Sequence, residues 1–217
     1  ATNRIRIGCM VNGVHYRHPA VLANMASALD IVSQGRFELG LGAGWNELES
    51  GAYGIELGSL KERFDRFDEA LIVISSLLAE ENTSFSGQYY SLQDARNEPK
   101  GPQQPLPICI GGTGEKRTLR SVARHASHWN LPMFEDQLFK QKYEILKIHC
   151  ENAGANIKDI KVSTHVFVEE ETTPSSVISQ ILHQNQLGIH QSILYFQPPI
   201  QMGQVEELTN ALMDEFH

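Results

Sequence analysis

The chain has 217 residues, of which 41% are hydrophobic and 20% charged, a composition typical of a globular domain with a real core. A formal net charge of −8 disfavours nucleic acid or an anionic membrane as the main partner, and no apolar run reaches the roughly 18 residues that span a bilayer. The 3 cysteines are widely spaced and argue against a disulfide framework or a zinc site. We therefore expect a cytoplasmic protein without a signal peptide.

Strand and helix patterns alternate from the first residues onward. The first strand is predicted over Arg4–Val11, where polar and apolar residues alternate before an apolar end. A helix follows from Pro19, a residue type favoured in the first helical turn, and ends before Gly35. The second strand, Phe37–Leu41, runs into glycines, and a long amphipathic helix is predicted over Leu60–Ala79.

Residues Ser84–Pro107 interrupt the alternation and are predicted to form an insertion or long loop within a single domain that spans residues 1–217. The remaining predicted elements, strand and helix in turn, are Ile108–Ile110, Glu115–Ala126, His128–Leu131, Glu135–Asn152, Lys161–Val168, Pro174–Leu187, Ser192–Phe196 and Gly203–Phe216. Repeated strand–helix units predict an α/β fold with a parallel sheet covered by helices, either an open doubly wound sheet or a closed barrel.

The glycine run Gly40–Gly44 follows the second strand, as a dinucleotide-binding loop would. Its G-x-G-x-G spacing differs from G-x-G-x-x-G, and we expect no helix directly after it because Gly51, Gly54 and Gly58 interrupt. A tight turn explains some of these glycines. Three alternating glycines also leave bare backbone against which a flat ring or a phosphate can lie.

A second glycine loop, Gly111–Gly114, joins the strand ending at Ile110 to the helix predicted from Glu115. Exposed backbone N–H groups at a helix N-terminus favour an anion, and Lys116 and Arg117 could add positive charge. The alternative is a capped turn with basic residues facing solvent. Phosphate binding is the favoured interpretation.

Three other residue types invite a functional interpretation. Cys9 could be a reactive thiol, but a buried and inert cysteine is favoured because no general base is near it in sequence. His15 and His18 lack the spacing of a metal site, and His18 is expected to cap the first helix. Trp129 could equally wall a ligand pocket or belong to the core.

Together these segments resemble the luciferase-like monooxygenase superfamily, most closely its deazaflavin-dependent branch. The residues that carry the resemblance are Tyr16–Ala20, Leu29–Ser33, Gly35-Arg36, Leu39–Trp45, Ala52–Ile55, Lys61–Phe64, Phe85, Gly87, Tyr90, Pro105, Pro107, Ile108 and Ile110–Gly112. The resemblance implies a (β/α)8 TIM-barrel type fold, of which this chain supplies six units and lacks the first two. This favours the barrel over the open sheet.

The resemblance also implies a cofactor at the carboxyl ends of the strands. A non-prolyl cis peptide bond behind the cofactor ring is expected at Cys9-Met10. The residues implied to bind the cofactor are Cys9, Met10, Val11, Gly42, Ala43, Gly44, Gly111, Gly112 and Thr113, with the last three receiving its phosphate.

The chain departs from the family pattern in two places. Some deazaflavin dehydrogenases carry an acid directly after the glycine run, where this chain has Trp45, so Glu47 is the one candidate proton donor. Relatives often have Ala-Asp-Gly-Trp where this chain has Ala126-Ser127-His128-Trp129. The first departure counts against a sugar-phosphate dehydrogenase mechanism.

The leading hypothesis is an oxidoreductase that exchanges a hydride between a deazaflavin, coenzyme F420, and a small organic substrate. One alternative is an FMN-dependent monooxygenase, and another is a non-catalytic barrel remnant. No metal is expected. Because a barrel without two strands exposes sheet edges, and because of the resemblance, a homo-oligomer is expected.

Overall fold

The computed structural model describes residues 2–216 and contains a seven-stranded sheet within that range. The strands of this sheet and of a separate hairpin are β1 (Ile7–Gly8), β2 (Asn12–Gly13), β3 (Phe37–Gly42), β4 (Thr83–Ser86), β5 (Ser91–Ala95), β6 (Ile108–Gly111), β7 (His128–Leu131), β8 (Lys161–Val168) and β9 (Gln191–Phe196). The α-helices are α1 (Pro19–Ser33), α2 (Glu47–Ala52), α3 (Leu60–Ala79), α4 (Thr118–His125), α5 (Asp136–Ala153), α6 (Pro174–Gln186) and α7 (Met202–Phe216). Within residues 2–216, no helix combines the length and apolarity that a membrane crossing requires.

The main sheet is parallel and runs in the order β1-β3-β6-β7-β8-β9, with β2 also paired to β3. Helices follow β2, β3, β6, β7, β8 and β9, which gives six strand–helix units within the described chain. The sheet is curled and covered by helices, so the predicted TIM-barrel type architecture is confirmed. Its outer strands, β1 and β9, each pair on one side with a described strand.

The two faces of the sheet differ in chemistry because successive side chains of a strand point to opposite sides. In β7, Trp129 is fully buried and stacks on Phe139 of α5, and Leu131 joins the same apolar core. His128 and Asn130 point to the other side, where they contact polar side chains of β3 and β8. The core therefore lies between sheet and helices, and the concave face is polar. The prediction left open whether Trp129 was core or pocket wall, and it is core.

Several predicted boundaries were wrong. The strand predicted over Arg4–Val11 is limited to β1 (Ile7–Gly8), and a second short strand, β2, begins just beyond the predicted range at Asn12. A helix does follow the first glycine run, since the Asn46 side chain accepts a hydrogen bond from the N–H of Glu49 and caps α2. The helix predicted from Glu115 begins at Thr118, after a turn. The predicted cap on α1 is confirmed, because His18 Nδ1 accepts from the N–H of Ala20 at 3.2 Å.

The segment Ser84–Pro107, predicted as an insertion or long loop, holds most of an antiparallel hairpin, β4–β5. The carboxylate of Glu69 on α3 accepts hydrogen bonds from three backbone N–H groups of the hairpin turn, at 2.7, 2.9 and 3.1 Å. Further along, the fully buried Asp30 of α1 accepts from the backbone N and the side-chain amide of Gln103. Two carboxylates thus fasten this segment to the helices.

Candidate cofactor site

A cavity of about 600 Å³ opens at the carboxyl ends of β2, β3, β6 and β7. This is the edge at which parallel α/β barrels place their ligands. The lining includes both glycine loops, the apolar side chains of Trp45, Leu60, Phe64 and Phe67, and polar groups from β7 and β8. Its volume falls within the range of small-molecule and cofactor sites.

Seven of the nine residues predicted to bind the cofactor line this cavity: Met10, Val11, Gly42, Ala43, Gly44, Gly111 and Gly112. Cys9 and Thr113 are not among the lining residues. The candidate proton donor, Glu47, lines the cavity mouth and is exposed. Residues separated by more than 100 positions are therefore brought together around one space.

The segment before β2 forms the back of the cavity. A non-prolyl cis peptide lies at Met10-Val11, so the expected position, Cys9-Met10, was wrong by one residue. The Cys9 carbonyl packs so closely on Gly40 of β3 that a Cβ at residue 40 would overlap its oxygen. Cys9 is exposed, against the prediction of a buried thiol, because it follows an outer strand of the sheet.

The second glycine loop is hydrogen-bonded to β7, whose Trp129 belongs to the hydrophobic core. Trp129 donates its indole N–H to the carbonyl of Gly112 at 2.8 Å, and the Gly112 N–H donates to Asn130 O at 3.0 Å. The predicted contribution of Arg117 to a phosphate site is wrong in this structure. Its two terminal nitrogens bind Asp65 and Asp68 of α3 at 2.7 and 2.5 Å.

His15 lines the cavity and was not predicted as a site residue. Ser50 Oγ donates to the Asn46 carbonyl at 2.8 Å and lies 3.1 Å from His15 Nε2. The network therefore assigns the ring proton to Nε2 and leaves Nδ1 as an acceptor. This Nδ1 is buried without a hydrogen-bond partner among residues 2–216. Burial and the nearby charge of Arg63 lower the His15 pKa from its ordinary value of 6.5, which favours the uncharged ring at neutral pH.

Space for the His15 ring depends on two glycines. A Cβ at Gly13 would lie 2.6 Å from the ring Cε1, and one at Gly44 would lie 2.5 Å from Nδ1. Gly44 also has a φ of +87°, which favours glycine. The sequence signal for this site is a histidine two positions after a glycine, together with a separate glycine-rich loop. Only the fold shows that the two segments are in contact.

A chain of polar side chains crosses the concave face of the sheet toward the cavity. Glu38 Oε1 lies 2.5 Å from His128 Nδ1, and His128 Nε2 lies 2.7 Å from Ser163 Oγ. Asn130 donates to Ser163 at 2.9 Å and lies 3.4 Å from His165 Nε2. Because Asn130 and His165 also line the cavity, this chain forms its polar floor.

Three potential metal ligands lie together at the end of this polar chain that is farther from the cavity. Donor atoms of Glu38, Cys109 and His128 lie within 4.8 Å of one another. Burial raises the pKa of the Cys109 thiol, which favours its protonated form, and both His128 nitrogens have protein partners. Hydrogen bonding accounts for this cluster without an ion.

The curated relatives of the chain include F420-dependent dehydrogenases. An F420-dependent glucose-6-phosphate dehydrogenase from Microbacterium testaceum is 37% identical over 118 residues, 54% of this chain and 34% of that protein. The chain spans about a third of the length of the curated relatives that it matches.

Two solved structures share the fold. An F420-dependent secondary alcohol dehydrogenase in complex with an F420-acetone adduct superposes with a TM-score of 0.85 at 17% identity, covering 97% of this chain and 79% of that one. A coenzyme F420 dependent tetrahydromethanopterin reductase from Methanopyrus kandleri gives 0.83 at 14% identity, covering 100% and 84%. The profile of the Luciferase-like monooxygenase family matches residues 1–210, and the chain therefore belongs to this family.

Proposed function

We propose that the cavity binds a deazaflavin, coenzyme F420, and that the protein is an oxidoreductase which exchanges a hydride between this cofactor and a small organic substrate. The observation that carries the proposal is the meeting of two glycine loops, Gly42–Gly44 and Gly111-Gly112, with Met10-Val11 around one cavity. The names of the relatives support F420 over other redox cofactors.

The residues present fit a flat cofactor. A Cβ at Gly111 would stand 3.4 Å from both Val11 methyl groups, inside the space between strand ends. Bare backbone at this point lets a planar ring approach the sheet. Val11 and Met10 would support one face of the ring, and the loop Gly111–Thr113 would receive the phosphate.

The cofactor supplies the hydride chemistry when bound, and the protein orients it and excludes water. Phe64 and Phe67 provide an apolar wall that limits water around the reacting atoms, and the exposed side chains of Trp45 and Leu60 also line the cavity. Neutral His15 and His165 offer uncharged polar groups at the lining, since burial lowers the pKa of both rings. Glu47 stays the candidate proton donor at the cavity mouth.

Fluorescence titration of the purified chain with F420 and, separately, with FMN tests the proposal. We expect saturable binding of F420 at micromolar or tighter affinity. Tighter binding of FMN would favour the alternative, an FMN-dependent monooxygenase. Binding of neither by a folded chain would reject a cofactor site in this chain and favour a non-catalytic barrel.

A matched pair of variants tests whether the cofactor binds in this cavity. Gly111→Leu fills the cavity, whereas Gly203→Leu adds the same side chain where a Cβ meets nothing within 4 Å. We expect Gly111→Leu alone to abolish cofactor binding. Equal loss in both variants, or in neither, would contradict the proposed location.

A further inference from the structure

Two arginines three positions apart on α3, of which Arg63 lines the cavity, have no carboxylate partner among residues 2–216. Arg63 and Arg66 are both half-buried, and each has a buried Nε with no hydrogen-bond partner among residues 2–216. Arg63 lines the cavity and donates one hydrogen bond, to Gly44 O at 3.2 Å. Arg66 has no hydrogen bond or ion pair within the same range, and its guanidinium lies 5.2 Å from the centre of the Tyr89 ring.

Several other half-buried cations of the chain are paired with carboxylates. Arg117 binds two aspartates, Lys142 binds Glu115 at 2.5 Å, and Lys100 binds Glu98 at 3.2 Å. A guanidinium taken out of water without an anion is unfavourable. Arg63 and Arg66 differ from these three cations in having no carboxylate partner among residues 2–216.

The nearby acids are already engaged. Glu62 accepts hydrogen bonds from the backbone N and the hydroxyl of Ser59, at 2.8 and 2.6 Å. Glu69 accepts from the three N–H groups of the hairpin turn. In the cavity lining, Glu49 accepts from the Tyr16 hydroxyl and is exposed to solvent. No described carboxylate thus contacts the donors of Arg63 or Arg66.

Arg63 lines the cavity, and Arg66 is its neighbour on the helix, because residues three apart lie on the same face. Burial, together with the charges of Arg63 and Arg66, lowers the pKa of His15, which also lines the cavity. Planar guanidinium groups match carboxylate and phosphate oxygens in paired hydrogen bonds.

We propose that Arg63 and Arg66 form an oxyanion subsite that receives a carboxylate or phosphate group of the substrate. The subsite rests on the proposed function in one respect, that the cavity admits the substrate. It is distinct from the loop Gly111–Thr113, which we assign to the phosphate of the cofactor.

Binding of inorganic phosphate, measured by calorimetry without cofactor, tests the subsite independently of redox activity. We expect the double variant Arg63→Met/Arg66→Met to bind phosphate at least about tenfold more weakly than the unsubstituted chain. The control Arg117→Met removes an arginine whose two terminal nitrogens bind Asp65 and Asp68, and its phosphate affinity should be unchanged. Equal phosphate affinity in all three proteins, or no phosphate binding by the unsubstituted chain, would overturn the proposal.

Thermal unfolding separates a ligand-binding arginine from a structural one. Because no carboxylate among residues 2–216 pairs with Arg66, Arg66→Met should keep or raise the Tm. Arg117→Met should lower the Tm, because Asp65 then keeps only its ion pair with Lys61 and Asp68 only that with Arg120. A fall of the Tm in Arg66→Met as large as that in Arg117→Met would assign Arg66 a structural role instead. If the double variant does not fold, Arg66→Lys, which keeps the charge but not the planar fork, replaces it and should weaken phosphate binding.

Cofactor titrations distinguish the two possible sources of the oxyanion. We expect Arg66→Met, which keeps the hydrogen bond from Arg63 to Gly44 O, to bind F420 and a deazaflavin lacking the phosphate-bearing side chain as tightly as the unsubstituted chain does. Loss of affinity for F420 alone would assign the arginines to the cofactor phosphate and overturn the assignment to the substrate. Failure of F420 binding in the unsubstituted chain would reject the cofactor proposal and leave the phosphate result standing.

Discussion

Glu38 of β3 and His128 of β7 form a pair on the concave face of the sheet, with Oε1 2.5 Å from Nδ1. Burial raises the pKa of Glu38, but the hydrogen bond and charge of His128, with the charges of Lys161 and Arg6, outweigh it and hold the pKa below its ordinary value. The pair joins two strands that have β6 between them. It therefore links β3 to β7 across the concave face of the sheet.

Removal of one partner should be strongly destabilising. Glu38→Ala leaves His128, which is only 2% exposed, without its carboxylate, and we expect a loss of about 3 kcal/mol in the free energy of unfolding. Urea denaturation measures it. Glu38→Gln keeps the shape and one acceptor and should lose less. Equal stability of Glu38→Ala and the unsubstituted chain would show that the pair contributes nothing.

The fold could be predicted well from the sequence, and the site in part. Helical periodicity located α1 and α3, and the glycines at strand ends located both loops of the cavity. His15 could not be found in this way, because its role arises from Gly13, Gly44 and Ser50, which only the fold brings together. The exposure of Cys9 likewise depends on its position after an outer strand rather than on its local sequence.

The role of Arg117 shows a second limit of sequence analysis. Its place after a glycine loop favoured phosphate binding, but α3 presents Asp65 and Asp68 at the same point. Arg63 and Arg66, which form part of a helical pattern, were in turn not singled out. Charge pairing between distant elements decides which basic side chains remain available to a ligand.

Gly40 allows a second prediction about the back of the cavity. In Gly40→Ala the new methyl group would overlap the Cys9 carbonyl, so the segment before β2 must shift, at a cost of about 2 kcal/mol. The affinity for the cofactor should also fall, because this segment forms the back of the cavity. The control is Gly51→Ala, where a Cβ meets nothing within 4 Å, and there we expect unchanged affinity. Thermal unfolding and F420 titration measure both effects. Unchanged F420 affinity in Gly40→Ala would contradict the role given to residues 9–11.

Stability should fall on mild acidification. Burial lowers the pKa of His15, His125 and His165 below the ordinary value of 6.5. The unfolded chain therefore takes up protons before the folded one does as the pH drops through 6.5, and the free energy of unfolding decreases. Glu38 acts in the same direction, but only below its own ordinary value of 4.5.

Urea denaturation between about pH 8 and about pH 5 measures this dependence. His125→Gln removes the most buried of the three rings. On acidification, the free energy of unfolding of this variant should decrease less than that of the unsubstituted chain. The same substitution at His183, which is exposed and binds Asp136, serves as the control. A pH profile unaltered by His125→Gln would show that its burial does not contribute.

Trp129 connects the hydrophobic core to the proposed phosphate loop. Trp129→Phe keeps an aromatic ring against Phe139 but removes the 2.8 Å hydrogen bond to Gly112 O, so the loop loses one of its supports. We expect about 1 kcal/mol less stability and a several-fold weaker affinity for F420, since a looser loop positions its N–H groups less well. Phe139→Leu is the matched control, because it disturbs the same packing and leaves the hydrogen bond in place. Fluorescence titration should show weaker F420 binding in Trp129→Phe than in Phe139→Leu, and equal affinities would mean that the hydrogen bond to Gly112 does not order the site.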